Sequence, residues 1–336
     1  MIPYIKINQL HMEEIPGSEI SLTGSKGDII GITGLNGSGK TTFLKKYAKH
    51  FMDQGKRVGI LENDYGAVNV DMLLLNELRG DNCELEMVAG GCDADCHRRR
   101  FKTKLISMGM SGYDRVIIEP SGIFDVDEFF DSLRDEPLDR WYEIGNVITI
   151  VDAKLNNNLS DDSDFFLASQ IASAGIILLS RAQLVDDATI SNTISHLKSA
   201  AQKAGLTKDI DSLIFSKAWD ELTADDFDKI ASCGYSNHSY IKKLGTDDTA
   251  YKTLYFLELP MKKAGLKDKI NTLMSNPAYG KIFRAKGFFK EDDIWYQFNA
   301  TKEDFELTQM PVGQQVFIII GEDINENNVK TFFNQA

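Results

Sequence analysis

The chain is poor in cysteine, histidine and positive charge. Its 336 residues include four cysteines, five histidines and seven prolines. Four cysteines in a chain of this length are too few for a disulfide scaffold. Lys plus Arg number 37 against 50 Asp plus Glu, a formal net charge of -13, and the isoelectric point is near 4.9. Such a surface repels phosphate backbones and anionic lipid, so general binding to nucleic acid or membrane surfaces is not expected. Long hydrophobic runs are missing as well. The longest, such as 316–320, are strand-sized, far below the ~18 apolar residues of a membrane helix. The opening, MIPYIKINQLHMEEIPG, has no basic region followed by an apolar run, so no secretory leader is read there and a cytoplasmic location is expected. Internal repeats and low-complexity tracts are also lacking. What is present is 43% hydrophobic and 26% charged residues, an ordinary globular composition long enough for two domains.

Short apolar runs rich in Val and Ile recur at 28–33, 57–62, 114–119, 146–151, 175–180 and 212–215. They read as strands buried on both faces. Helical patterns lie between them. After Lys40 the apolar residues Phe43, Leu44, Tyr47, Ala48 and Phe51 form a one-sided stripe; 124–133 and 190–204 read as helices too. Strand and helix alternate, which predicts an α/β domain whose mostly parallel sheet is covered by helices on both faces. The polar segment CGYSNHSYIKKLGTDDT reads as a boundary. The expected organisation is an N-terminal hairpin extension (1–27), a phosphate-loop domain (28–232), a linker (233–249) and a small C-terminal α+β domain (250–336). In the last, strands are expected at 252–257, around the turn in GKIFRAKGFFKEDDIWYQFNA and at 315–320, with helices at 262–274 and 324–333.

The strongest chemical signal is Gly34-Leu35-Asn36-Gly37-Ser38-Gly39-Lys40-Thr41, followed by Thr42. It matches GxxxxGK[ST] in full, after an apolar run and before a helical stripe. Glycines let backbone N–H groups converge on phosphate oxygens. The helix N-terminus adds partial positive charge. Lys40 is then placed to hold the β- and γ-phosphates and Thr41 to ligate Mg²⁺. A second element is expected at the end of another strand. Glu119 fits as the Mg²⁺-side carboxylate, followed by Pro120-Ser121-Gly122, where the Gly122 N–H would sense the γ-phosphate. The catalytic set read from these motifs is Lys40, Thr41, Glu119 and Gly122.

The order of motifs carries a resemblance. The phosphate loop is followed by Glu62-Asn63-Asp64-Tyr65-Gly66, Gly90-Gly91-Cys92, Glu119-Pro120-Ser121-Gly122 and Val151-Asp152-Ala153. The chain resembles the CobW-type branch of the CobW/HypB/UreG phosphate-loop GTPases over roughly residues 28–336, and Arg284-Ala285-Lys286-Gly287-Phe288 resembles part of the CobW C-terminal domain. The resemblance implies slow, Mg²⁺-dependent GTP hydrolysis between GTP- and GDP-bound states. It further implies coupling to a transition metal, zinc or cobalt, that is delivered to a client metalloprotein.

Two departures from the family pattern stand out. The family's Cys-x-Cys-Cys motif is represented by Cys92-Asp93-Ala94-Asp95-Cys96-His97, with one cysteine in register. Cys92, Cys96 and His97, with the switch-region Glu62, make a donor set suited to Zn²⁺ or Co²⁺. Against this stands a degenerate site in which Cys92 is core, Asp93 or Asp95 caps a helix and His97 is a solvated side chain. Cys233 reads as an inert thiol. The family's Asn-Lys-x-Asp guanine reader is represented by Ser180, Arg181, Ala182 and Gln183. Arg181 can stack on a purine. Gln183 replaces a carboxylate that would accept both guanine N–H groups, so selectivity is expected to fall by ~1–3 kcal/mol. ATP is the alternative nucleotide. Ser216 and Lys217 lie where the last base-contacting loop belongs. Arg98-Arg99-Arg100, Arg284 and Lys286 read as exposed basic positions, and Trp141, Trp219 and Trp295 as core or interface anchors. The rival readings are a nucleotide-switched protein-binding module that has lost its metal, an ABC-type ATPase, and a phosphate-loop kinase. The ABC reading lacks an LSGGQ-like signature, and nothing marks a kinase acceptor pocket.

Overall fold

The computed structural model describes residues 27–64, 71–89, 94–120, 130, 132–155, 159–236, 252–257, 261–302, 304–310 and 315–334. They fall into two compact units. The first carries a sheet of seven strands in the order β3-β2-β4-β1-β5-β6-β7, with every pairing parallel. Its strands are β1 (Gly27–Thr33), β2 (Val58–Asp64), β3 (Cys83–Ala89), β4 (Arg115–Pro120), β5 (Tyr142–Asp152), β6 (Ile176–Ser180) and β7 (Ile214–Phe215). The helices are α1 (Lys40–Asp53), α2 (Asp71–Leu75), α3 (Ala94–Ser111), α4 (Leu138–Trp141), α5 (Asp161–Ser173), α6 (Asp187–Lys203) and α7 (Ala224–Ala231). This is the expected α/β architecture. The readings at 1–26 and at 237–249 lie outside the described residues. So does most of the helix read at 124–133, of which Phe130 and residues 132–134 are helical.

The helices cover both faces because the strands are apolar on both. On one face α1 buries Phe43, Leu44, Tyr47 and Phe51 against Ile30, Ile60, Ile117, Ile148 and Leu178. Each such side chain contributes about 1.5–3 kcal/mol on leaving water. On the other face α3 places Phe101, Leu105 and Met108 on Leu61, Val116 and Ile118. Two elements of this layer were not legible from apolar runs. Strand β3 reads Cys-Glu-Leu-Glu-Met-Val-Ala and lies at the sheet edge, where polar residues interrupt the apolar run. Helix α3 carries Arg98-Arg99-Arg100 near its start, all exposed, and its apolar stripe begins only at Phe101.

The last described turn of the first unit is tied down by hydrogen bonds. Lys208 Nζ donates to the carbonyls of Ile171 (2.9 Å), Ala172 (3.4 Å) and Ala174 (2.5 Å) at the end of α5 and contacts Ser236 Oγ. The adjacent Cys233 thiol is pushed up to about 12 and the Cys83 thiol to about 11, in both cases chiefly by burial, so both are poor thiolates near neutrality.

The second unit is an antiparallel sheet of order β11-β10-β9-β12-β8, built from β8 (Lys252–Leu257), β9 (Lys281–Glu291), β10 (Ile294–Ala300), β11 (Phe305–Met310) and β12 (Val316–Glu322). Helices α8 (Leu266–Ser275) and α9 (Glu326–Asn334) accompany it. Ile270, Leu273, Val329 and Phe333 from the helices meet Ala285, Phe289, Phe298, Phe317 and Ile319 from the sheet in one core. Strand β11 was not anticipated: its face alternates between half-buried and exposed residues. Lys286 is buried rather than exposed, whereas Arg284 is half-buried and donates from Nε to Asn299 Oδ1 at 2.9 Å.

Candidate functional site

The phosphate loop joins β1 to α1, and backbone contact fixes its shape. Gly34 has φ +145, and a Cβ there would lie 2.3 Å from the Ile150 carbonyl oxygen and 2.7 Å from Ser38 Oγ. Gly37 and Gly39 are also left-handed, at φ 89 and 99. Gly39 is the N-cap of α1. Lys40 begins that helix and is buried; its Nζ donates to the Gly34 carbonyl at 3.1 Å and stands 3.8 Å from Glu119 Oε1. Thr41 Oγ1 donates to Glu119 Oε1 at 3.1 Å. Lys40 and the adjacent Thr41 therefore meet Glu119, distant in sequence, at the carboxyl ends of β1 and β4, where open parallel sheets bind ligands. The Ser38 hydroxyl is buried and, among the described residues, makes no hydrogen bond. Asn36 and Thr42 complete the loop, half-buried and exposed respectively. Gly122 lies outside the described residues. Thr41 and Glu119 are hard oxygen donors side by side, a donor set that fits Mg²⁺.

Glu62 and Glu119 are register partners on neighbouring parallel strands, so both side chains take the α1 face. Both are buried. Asn63, the next residue of β2, points to the α3 face. There His97 of α3 is buried with its Nε2 2.7 Å from Asn63 Oδ1. An amide oxygen only accepts, so His97 Nε2 carries the proton. The structure thus assigns Glu62 and His97 to opposite faces of the sheet, and His97 is buried, not solvated. Cys96 is half-buried on α3; Cys92 lies outside the described residues. Among the described residues no group of three or more His, Cys, Asp or Glu is arranged to hold a metal ion.

Strand β6 ends at Ser180, and Arg181 follows as the first residue of the next turn. The Ser180 hydroxyl is buried and, among the described residues, makes no hydrogen bond. Arg181 Nη1 donates to the Gly37 carbonyl at 3.2 Å and pairs with Asp152 Oδ2. Gln183 is exposed on the single turn Ala182–Leu184 that follows. Ser216 is exposed and Lys217 half-buried. Lys217 Nζ donates to Asp226 Oδ2 at 2.6 Å, and Asp226 with Thr223 forms the capping box of α7. That lysine and the Thr223 donors hold the Asp226 carboxyl far below its ordinary range. Trp219 follows, packed edge-on against Phe43 with ring centroids 5.5 Å apart. Its ring edge lies 3.0 Å from where a Gly39 Cβ would be. Trp219 and Asp226 belong to no motif, and Asp152 stands in Val151-Asp152-Ala153, which by itself assigns it no contact. Asp152 stands at a strand end before Ala153, a signal that position alone leaves ambiguous.

The family model for the CobW/HypB/UreG nucleotide-binding domain matches residues 28–207, more than half of the chain. The chain belongs to the CobW/HypB/UreG family. This span includes the phosphate loop, Glu62, Glu119, Asp152, Arg181 and Gln183, while Ser216 and Lys217 fall beyond it. Among solved structures the chain is similar to the Zn(II)-bound YjiA GTPase from E. coli, at 17% identity over 93% of this chain and 99% of that one, with a TM-score of 0.36. It is similar to HypB from Helicobacter pylori in complex with nickel, at 17% identity over 60% and 83%, TM-score 0.37. The signal recognition particle receptor FtsY from Elizabethkingia anophelis in complex with GDP matches at 15% over 66% and 68%, TM-score 0.40. No curated protein matches the chain at a significant level. Among the described residues no helix is long and apolar enough to cross a membrane. As a CobW/HypB/UreG member the chain has a nucleotide-binding domain with a phosphate-binding end that keeps every motif residue.

Proposed function

We propose that this protein is a Mg²⁺-dependent GTP-binding switch that hydrolyses GTP slowly and couples its nucleotide state to holding a transition-metal cargo for a client metalloprotein. The observation that carries the nucleotide part is the convergence of buried Lys40, Thr41 and Glu119 beneath the glycine-fixed loop. Lys40 would move from the Gly34 carbonyl to the β- and γ-phosphates. Thr41 and Glu119 would hold Mg²⁺, which neutralises charge on the phosphates. The remaining members of the proposed nucleotide contacts are Gly34, Asn36, Gly37, Ser38, Gly39, Thr42, Ser180, Arg181, Gln183, Ser216 and Lys217, with Gly122 sensing the γ-phosphate.

For the cargo, the candidates are Cys92 and Cys96 with either Glu62 or His97, which lie on opposite faces of the sheet, and thiolate with carboxylate or imidazole suits Zn²⁺ or Co²⁺. Glu62 sits beside Glu119 on the strand that feeds 65–70. A nucleotide-dependent change there would alter metal affinity, and metal would alter nucleotide affinity by the same factor. The alternative is a nucleotide-switched protein-binding module or ATPase without a metal. It is favoured by one observation, the bond from the His97 Nε2–H to Asn63 on the face opposite Glu62.

Titration of the reduced protein with Zn²⁺ and Co²⁺ distinguishes the two readings. It is done with no nucleotide, with GDP and with a non-hydrolysable GTP analogue, beside a Cys92→Ser/Cys96→Ser variant. Stoichiometric binding that depends on nucleotide and vanishes in the variant is expected. Binding indifferent to both would leave the module reading.

A further inference from the structure

Arg181 is in an unusual backbone state. Four non-glycine residues among those described have positive φ: Arg181, Asp292, Asp293 and Asp323. Three are aspartates, a residue type that tolerates the left-handed region in turns. Arg181, at φ 57 and ψ 18, is the exception, and such conformations persist where surrounding contacts impose them. Those contacts are visible. Asp152 is the last residue of β5 and the register partner of Ser180, and the Ala153 N–H donates to the Ser180 carbonyl at 2.9 Å. The two strand ends are thereby fixed together. One Asp152 oxygen accepts from the Lys154 N–H at 2.9 Å, which holds the carboxylate still; the other takes the Arg181 guanidinium. The same guanidinium nitrogen reaches the Gly37 carbonyl within the phosphate loop.

We propose that Asp152 is a positioning residue of the nucleotide site, locking the flat Arg181 cation to the Gly37 carbonyl so that the surface on which a base stacks is joined to the phosphate loop. The proposal rests on the nucleotide-binding reading and deepens it. A guanidinium is planar and offers donors in a rigid fork, so it can satisfy a carboxylate and a carbonyl at once while keeping a face for a purine ring. A lysine ammonium on a flexible stem has no such plane. The Asp152 carboxylate, with both oxygens engaged, is also removed as a substitute for the carboxylate missing at Gln183. The clamp therefore serves stacking rather than edge recognition, and it makes no distinction between guanine and adenine.

The test is calorimetric binding of GDP, ADP and inorganic tripolyphosphate to the full chain with Mg²⁺, using Asp152→Asn, Arg181→Ala and the double variant. Losing a charge-assisted bond predicts a fall of roughly tenfold to a hundredfold in affinity for GDP. The same factor is expected for ADP, with tripolyphosphate unchanged. Asp152→Asn should add little to Arg181→Ala, since coupled residues do not act additively. The proposal is overturned by an Asp152→Asn protein that binds GDP like the parent. It is equally overturned by a loss as large for tripolyphosphate, or by a loss undiminished without Arg181. Asp152→Ser, whose hydroxyl can still accept from Lys154, replaces the Asn variant if that one does not fold. A chain that folds with neither makes Asp152 a folding residue and ends the proposal. A parent protein that binds none of the three ligands fails the nucleotide reading instead.

Discussion

The two ends of the proposed nucleotide site are held by different physics. At the phosphate end the backbone is in close contact with its surroundings: Gly34 lies against the Ile150 carbonyl with no room for a Cβ, and Lys40 and Glu119 are buried beside it. At the proposed base end Ser180 is buried, while Arg181, Gln183 and Lys217 are half-buried or exposed, and pairs of charges set the positions of Arg181 and Lys217. Arg181 is held by Asp152, Lys217 by Asp226, and Asp220 by Lys46 at 2.7 Å. Steric constraint admits few substitutions, whereas an ion pair can be rebuilt with other side chains. The phosphate-loop motif of the first end is complete, and the second is where Ser180, Arg181 and Gln183 stand as the proposed base contacts.

The sharpest way to break this contrast is Gly34→Ala. The new Cβ would meet the Ile150 carbonyl oxygen at 2.3 Å, at a φ of +145 that side chains rarely adopt. A cost of roughly 3 kcal/mol or more is expected, with loss of measurable nucleotide binding. Denaturant unfolding and calorimetry read the two effects. Parental stability and affinity in this variant would show that the loop yields, and the contrast between the ends would disappear.

Gln183→Asp probes the other end and should behave differently. The position is exposed, so stability should stay within about 0.5 kcal/mol. A carboxylate restores a charged acceptor for the two guanine N–H groups, while a neutral amide can turn to suit either purine. The preference for GTP over ATP is expected to rise by roughly tenfold or more, corresponding to ~1–3 kcal/mol. Competition between the two nucleotides measures it. An unchanged ratio would mean that Gln183 does not face the base edge.

The same contrast explains what could be read from sequence. The phosphate loop, the central strands and α1 were legible because each depends on local pattern: glycine spacing, apolar runs and a helical stripe. Strand β3 was not, because at the sheet edge Glu84 and Glu86 alternate with apolar residues and break the run. Nor was the separation of Glu62 from His97. Motif order groups them in one donor set, whereas β2 turns Glu62 toward α1 and Asn63, with His97, toward α3. The contacts of Asp152 and Asp226 were hidden for a related reason. Each acts by holding a residue 29 or 9 positions away, a relation that only the fold creates.

The smallest expected effect comes from Asp226→Asn, which loosens the Lys217 anchor without touching the phosphate loop. In the fold Asp226 accepts from Lys217 Nζ at 2.6 Å, from the Thr223 N–H at 2.9 Å and from Thr223 Oγ1 at 2.8 Å. These donors, the lysine foremost, depress its carboxyl far below the ordinary 3.8. A carboxyl depressed in the fold stabilises the folded state fully above its unfolded value, and that contribution is lost as pH falls through the folded value. The variant should therefore melt lower than the parent at pH 7, and the gap should close as the pH is taken below about 4. Thermal unfolding at pH 7, 4 and 3 follows the gap. Tripolyphosphate affinity at pH 7 should be untouched, while GDP affinity falls a few-fold as the base loop loses its tether. A gap that stays constant with pH would show that the Lys217–Asp226 pair does not hold this loop. The proposed base end would then need another constraint, and Trp219 against Gly39 and the Lys46–Asp220 pair both join it directly to the phosphate helix.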